Sequence, residues 1–402
     1  MIPRMPKTLK LSMKRNDRSF DILTRINAGI TGLISAFFVI PILLLIPAFA
    51  QDGENDTWPE ITRRHLFQSI PLYDPATSVI EIAAVGDLMM SSWIVEQVAE
   101  KGVDYPFDST RIVLQKADLA IANLEAPLTQ KGERFFNKTY TFKVPPDFIS
   151  GMSNAGFDVF TLANNHIVDF GCEGLTNTIY TLRNAGIQYS GAGDNINRAC
   201  EPAFVSVNDV KVAFLGFSMT YPQEFWATST RCGTCYPTEE LLYTLVTDCE
   251  SRADITVVSF HWGAEKHTYP RDYQMEYGRA AIDYGADLVL GHHPHVLQGF
   301  ELYQGKLIAY SLGNYVFGSY SYAAKTSAMV VIKLDHQGLI MARIIPLNVF
   351  NAEVQFQPRE LRGEDRDRVI QHLNDISMPL NGGERIIDEK GFISRYPIVE
   401  QF

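Results

Sequence analysis

From Val79 to about Asn348, short apolar runs alternate with stretches of helical period. The runs are Ile80–Val85, Ala117–Ala122, Phe157–Ala163, Ile255–Phe260, Asp287–Leu290 and Lys306–Tyr310. Each is short enough for a strand, and near-continuous apolar character fits strands covered on both faces. Strands interleaved with helices predict an α/β domain with a largely parallel sheet. The domain is expected to span residues 79–349, roughly 270 residues, a reasonable size for one large unit. Further on, Leu361, Val369, Ile370, Leu373 and Ile376 are spaced to line a helix that packs back on it, in an extension over 350–402.

The pattern ahead of the domain differs. Residues 1–25 carry seven Lys or Arg against two Asp. Residues 26–51 contain no charge, and that run is long enough to span a bilayer, which takes roughly 20 apolar residues. Its end, Ala48-Phe49-Ala50, has the small-x-small form that signal peptidase cuts. The segment is therefore either an uncleaved anchor or a cleaved signal. Both readings export the rest of the chain, with the basic end in the cytoplasm. Residues 52–78 are polar, with Pro59, Pro71 and Pro75, and read as a linker.

Charge narrows the partners. The chain's net charge is −11, and removing the basic first 25 residues leaves −16 on the remainder. An acidic domain lacks the basic footprint that nucleic-acid binding needs. The five cysteines are Cys172, Cys200, Cys232, Cys235 and Cys249. Disulfides are allowed after export, and an odd count leaves at least one thiol unpaired. Cys232-Gly-Thr-Cys235 is expected to form a small local disulfide clip, with a redox motif as the competing reading.

The polar residues that follow the apolar runs carry the chemistry. They are Gly86-Asp87, Asn123-Leu124-Glu125, Asn164-Asn165-His166 with Asp169, His261 with Glu265, Gly291-His292-His293-Pro294-His295, and Ser311-Leu312-Gly313-Asn314. The C-terminal ends of parallel strands are where ligands gather in α/β sheets. Five of the nine histidines fall in these motifs. Alternation puts Asn123 and Glu125 on one side of an extended segment; a helix N-cap at Asn123 is the competing reading. Carboxylate, amide oxygen and imidazole together suit Zn, Mn or Fe. Ligands from several strands suggest one or two divalent ions, a pair lying about 3.5–4 Å apart.

Taken in order, Gly86-Asp87, Asn123-Leu-Glu125-Ala-Pro-Leu, Asn164-Asn165-His166 with Asp169-Phe-Gly, His261-Trp-Gly-x-Glu265, Gly-His-His293-Pro-His295 and Tyr-Ser-Leu-Gly-Asn314 resemble the CapA family. These are bacterial capsule synthesis proteins tied to poly-γ-glutamate production and related to calcineurin-like metallophosphoesterases. The resemblance implies a four-layer α/β/β/α sandwich and an extracytoplasmic, membrane-anchored domain. It makes Asp87, Glu125, Asn165, His261, His293 and His295 metal ligands, with Glu125 bridging, and His166 the proton donor. Asn123, Asn164, Asp169, Glu265, His292 and Asn314 become supporting or substrate-facing residues. Met89 stands where the superfamily has a histidine. The implied partners are an anionic polymer such as poly-γ-glutamate and other capsule-synthesis membrane proteins. The implied activity is metal-dependent hydrolysis or transfer on an envelope polymer. The alternatives are a non-enzymatic export or assembly subunit, and a phosphodiesterase or nucleotidase.

Overall fold

Strand β1 (Ile80–Met89) runs through the middle of the largest sheet. The structure, a computed structural model, describes residues 79–395. On one side of β1 lie β2 (Leu119–Leu124), β3 (Val159–Thr161) and β4 (Gln188–Ser190), all parallel. On the other lie β14 (Thr326–Asp335), β15 (Gly338–Asn348) and β16 (Arg359–Glu360), antiparallel. Strand β13 (Asn314–Phe317) adds to the C-terminal end of β1, and β17 (Phe392–Ser394) pairs with β15.

The second sheet has the order β11 (Phe300–Tyr303), β12 (Lys306–Ala309), β10 (Leu288–His292), β9 (Ile255–His261), β7 (Val210–Ser218) and β6 (Ala203–Val207). Its inner four strands are parallel. The result is a mixed α/β fold on two large sheets. The predicted runs all become strands, and Asn123 lies inside β2 rather than capping a helix.

Three apolar cores explain why the runs read as continuous. Ile80, Ile82 and Ala84 of β1 share a core with Val212, Phe214, Val257, Leu288 and Leu290 of the second sheet. The alternate residues Ala83 and Val85 pack with Ile94, Leu114, Met152 and Leu175, which lie on helices. On the far side of the second sheet, Leu215, Val258 and Val289 pack with Leu242, Val246 and Ile282 from helices Glu239–Glu250 and Asp272–Asp283. Period-two alternation thus sends neighbouring residues into different cores, and neither face reaches water. Helix Gly363–Ser377 buries Val369, Ile370 and Leu373 in the inter-sheet core, as its spacing predicts.

The cysteines depart from expectation. Cys172 pairs with Cys232 and Cys200 with Cys235, while Cys249 is free and buried. A Cys232–Cys235 clip does not form, because β8 (Gly233–Thr234) lies between them, paired with β5 (Ala192–Gly193). Extended backbone advances about 3.3 Å per residue, so residues three apart sit about 10 Å from each other. That exceeds the roughly 7 Å limit for a disulfide. Residues 1–25, the uncharged run 26–51 and the linker 52–78 lie outside the described residues. Among the described residues no helix is long and apolar enough to cross a membrane.

Candidate metal centre

Register alone brings the first ligands together. Asp87 on β1 lies opposite Asn123 on β2 and Asn314 on β13. In the second sheet His261 on β9 lies opposite His292 on β10. Within the first sheet Asp87 N–H donates to the Gly313 carbonyl at 3.0 Å, just ahead of β13. A glycine in each sheet permits close packing at its strand ends. A Cβ on Gly86 would stand 1.9 Å from the Gly313 oxygen, and one on Gly291 would stand 2.0 Å from the Tyr310 oxygen.

The His-rich turn then wraps Asp87. His293 N–H donates to Asp87 Oδ2 at 3.3 Å, and His295 Nδ1 lies 3.0 Å from the same oxygen. His292 Nδ1 lies 3.2 Å from Asp87 Oδ1. His295 Nδ1 is also 3.0 Å from Asn314 Oδ1. His293 (φ 94°) and His295 (φ 59°) both occupy left-handed backbone. For side chains with a Cβ this costs on the order of 1–3 kcal/mol each, a strain that persists only where surroundings impose it.

Amides hold the carboxylates in place. Asn123 Nδ2 donates to Asp87 Oδ1 at 2.9 Å and to Glu125 Oε2 at 3.1 Å. Asn164 Nδ2 in turn donates to Asn123 Oδ1 at 3.0 Å. Asn165 Oδ1 lies 2.8 Å from His261 Nε2. Glu125 Oε1 and His293 Nδ1 are buried with no hydrogen-bond partner. Orphaned buried polar atoms are costly unless something neutralises them. Their donor types, carboxylate and imidazole, suit a divalent ion.

Two ligand groups fit such an ion. Glu125, His261 and His293 offer atoms mutually within 4.8 Å, and so do Asp87, Glu125 and His295. Glu125 belongs to both, and its Oε1 lies 3.6 Å from His261 Nε2 and 3.8 Å from His295 Nε2. Glu265 is exposed and hydrogen-bonds to none of these residues, but its charge reaches Glu125 and Lys138. Met89 is buried, with Ser91 Oγ donating to its sulfur at 3.3 Å.

Beside the ligands is a second cluster. His166 Nδ1 lies 2.7 Å from Asp169 Oδ2, and Lys138 Nζ donates to Asp169 Oδ1 at 2.6 Å. Lys138 also donates to the Asn165 carbonyl. Lys138 is the residue that sequence reading misses. No strand leads into it, and its only signal is a cationic, aromatic stretch lacking regular structure.

The profile of the bacterial capsule synthesis protein PGA_cap family matches residues 81–319. The capsule biosynthesis protein CapA of Bacillus anthracis is 31% identical over 339 residues, 83% of this chain and 81% of that protein. This chain belongs to the PGA_cap family. The PGA biosynthesis protein CapA of Bacillus subtilis is 30% identical over 319 residues, 79% of this chain and 81% of that protein. Among solved structures, a Thermus thermophilus 5'-nucleotidase precursor overlaps with a TM-score of 0.42 at 14% identity, covering 67% of this chain and 54% of that one. The Haemophilus influenzae NAD nucleotidase overlaps with a TM-score of 0.43 at 12% identity, covering 78% and 65%.

Burial sets the protonation of this PGA_cap site. It pushes the Asp87 carboxyl up, but His292 and His295 overcome it and hold Asp87 well below the usual range. Burial, then the Asp87 charge, hold the Glu125 carboxyl well above the usual range. The Lys138 charge pulls it down but does not prevail. Burial lowers His261 far, aided by His293, and lowers His293 to about 3, aided by His295. Burial also lowers His166, against the pull of Asp169.

These shifts fix how the metal-free PGA_cap protein responds to acid. Unfolded histidines protonate near pH 6.5, whereas His166, His261 and His293 stay neutral longer in the fold. Unfolding below that pH therefore takes up protons at three imidazoles and releases one, from Glu125. Stability falls as pH drops, by about 1.4 kcal/mol per pH unit for each net proton. Thermal unfolding of chelator-treated protein between pH 7 and 5 should show a falling midpoint; a constant or rising one would contradict neutral buried imidazoles.

Proposed function

We propose that this protein acts in capsule or poly-γ-glutamate biosynthesis, as a metal-dependent hydrolase or transferase on an anionic envelope polymer. The names of the Bacillus relatives support the pathway. The observation that carries the chemistry is Glu125 Oε1, buried, unpartnered and common to both ligand groups. We read the two sheets and their three cores as a four-layer α/β/β/α arrangement with its site where the parallel strands end.

When bound, a divalent ion would supply an activated water and polarise the group under attack. The chain's residues do the rest. Asp87, Glu125, Asn165, His261, His293 and His295 would hold one or two ions. Asp169 would accept from His166 Nδ1, the nearer contact of that nitrogen at 2.7 Å against 2.9 Å to Lys138 Nζ, and orient the ring. To donate from Nε2 the ring must first take a second proton, which Asp169 favours against burial. Asn123 and Asn164 lock the carboxylates in place.

The test uses the purified full chain with Mn or Zn and poly-γ-glutamate, read by polymer length. Shortening that stops with chelator and returns with metal is expected. Polymer bound but never shortened would favour an assembly subunit, a reading that Met89 in place of a histidine supports.

We place the domain outside the cytoplasm, tethered or released at 26–51. Two disulfides agree with an oxidising compartment. A reporter fused after Thr77 should be active only outside; activity inside would reverse the placement.

A further inference from the structure

No helix or strand lies between Glu125 and Pro145. Loops of this length without regular structure are uncommon in compact domains and are mostly functional. This one is built rather than loose. A bridge between Leu128 and Val144 closes its neck, with Thr129 N–H donating to the Val144 carbonyl at 2.9 Å. Residues 129–143 thus form a compact loop whose ends touch.

Its inner side is pinned to the metal centre's flank. Phe135 N–H donates to the Asp169 carbonyl at 2.8 Å, and Phe142 N–H donates to Asp169 Oδ2 at 2.8 Å. The Phe142 ring centroid lies 4.9 Å from that of His166. Lys138 reaches inward to Asp169 and Asn165. Burying a lysine is costly, and here the cost is offset by docking the loop.

Its outer side is not explained by packing. Phe136 is 92% exposed and Tyr140 is 71% exposed. Lys131 and Arg134 are exposed, Lys143 is half-buried, and Glu133 is the loop's one acid. With Lys138 committed to Asp169, the loop still presents three cations against one anion, on a chain that is otherwise strongly acidic. Exposed aromatics among cations, beside a reactive centre, are a binding surface in search of an anionic, partly apolar ligand.

We propose that the 129–143 loop grips a chain of repeating carboxylates and feeds it to the His166 side of the metal centre. This rests on the polymer reading above and names the element that recognises it. A γ-linked polyglutamate backbone puts two methylenes and an amide between successive free carboxylates. Phe136 and Tyr140 take the methylene and amide faces. Arg134 and Lys131 take the carboxylates. Lys138 is a positioning residue: it sets the loop's height over His166 and touches no ligand.

The test measures binding of poly-γ-glutamate to the full chain in chelator, so that metal and turnover play no part. Neutral polyglutamine of similar length is the control. Lys131→Ala/Phe136→Ala/Tyr140→Ala removes exposed side chains and spares the Arg134 hydrogen bond to the Thr139 carbonyl, so folding and metal uptake on reloading should match the parent. Binding is expected to weaken at least tenfold, with polyglutamine bound by neither protein. Equal binding by parent and variant would overturn the loop assignment and leave the polymer reading standing. No binding by the parent would overturn the polymer reading and this ligand with it. Lys138→Met separates docking from contact: weaker binding together with new proteolysis within 129–143 is expected, and unchanged proteolysis would count against its positioning role.

Discussion

Glu125→Gln is expected to strip most of the divalent metal from the purified protein, lowering its affinity by at least tenfold and on the order of 10²-fold. Glu125 is the carboxylate common to both ligand groups, so its loss weakens both at once. Glutamine has the same shape, and its carbonyl can still accept from Asn123 Nδ2 where Glu125 Oε2 does at 3.1 Å. No cavity opens, and a carboxyl that burial and the Asp87 charge already hold well above the usual range gives way to a neutral amide of the same size. The metal-free variant should therefore unfold at the parent's midpoint or higher. Metal analysis of the dialysed protein and thermal unfolding with and without chelator read both quantities. Full metal retention, or a metal-free midpoint lowered as far as a core truncation would lower it, would sink the bridging role.

His166→Ala is expected to act on the reaction and spare the metal. His166 is in neither ligand group. If it hands a proton to the leaving group, its loss slows polymer hydrolysis by roughly 10²–10⁴-fold. The substitution orphans neither neighbour of Nδ1, since Lys138 Nζ keeps Asp169 and the Asn165 carbonyl. Asp169 keeps Lys138 on Oδ1 at 2.6 Å and the Phe142 N–H on Oδ2 at 2.8 Å. The fold and the 129–143 loop should thus stand, and metal content should match the parent. A leaving group of low pKa needs no proton, so an activated ester should recover much of the lost rate. An undiminished rate on the natural polymer would remove His166 from proton transfer. Metal lost together with activity would instead make it a ligand.

Both predictions rest on residues readable from the chain before any coordinates. Strands covered on both faces must be apolar along their length, and the first polar residues after them must lie at the sheet edge. Asp87, Asn123, His261 and His292 could be picked out for that local reason, and the register then sets them opposite one another. Gly291 and Pro294 mark a tight turn there, but the left-handed backbone of His293 and His295 is set by the fold.

What the chain determined by itself was therefore local: the strands, the polar residues at their ends and a donor set suited to a divalent ion. The tertiary structure decided everything that needs two distant segments to meet. It sent Cys232 to Cys172 and Cys235 to Cys200, because an extended β8 holds the nearby pair apart. It left Glu265 exposed, within reach of the Glu125 and Lys138 charges. It placed Lys138 against Asp169, from a loop whose sequence has no period to read. It also made Glu125 common to two groups of ligands, which depends on how one sheet's edge sits against the other's. Periodicity encodes which face of an element is buried. It does not encode which loop closes over which strand end, because that contact is fixed by the packing of whole sheets.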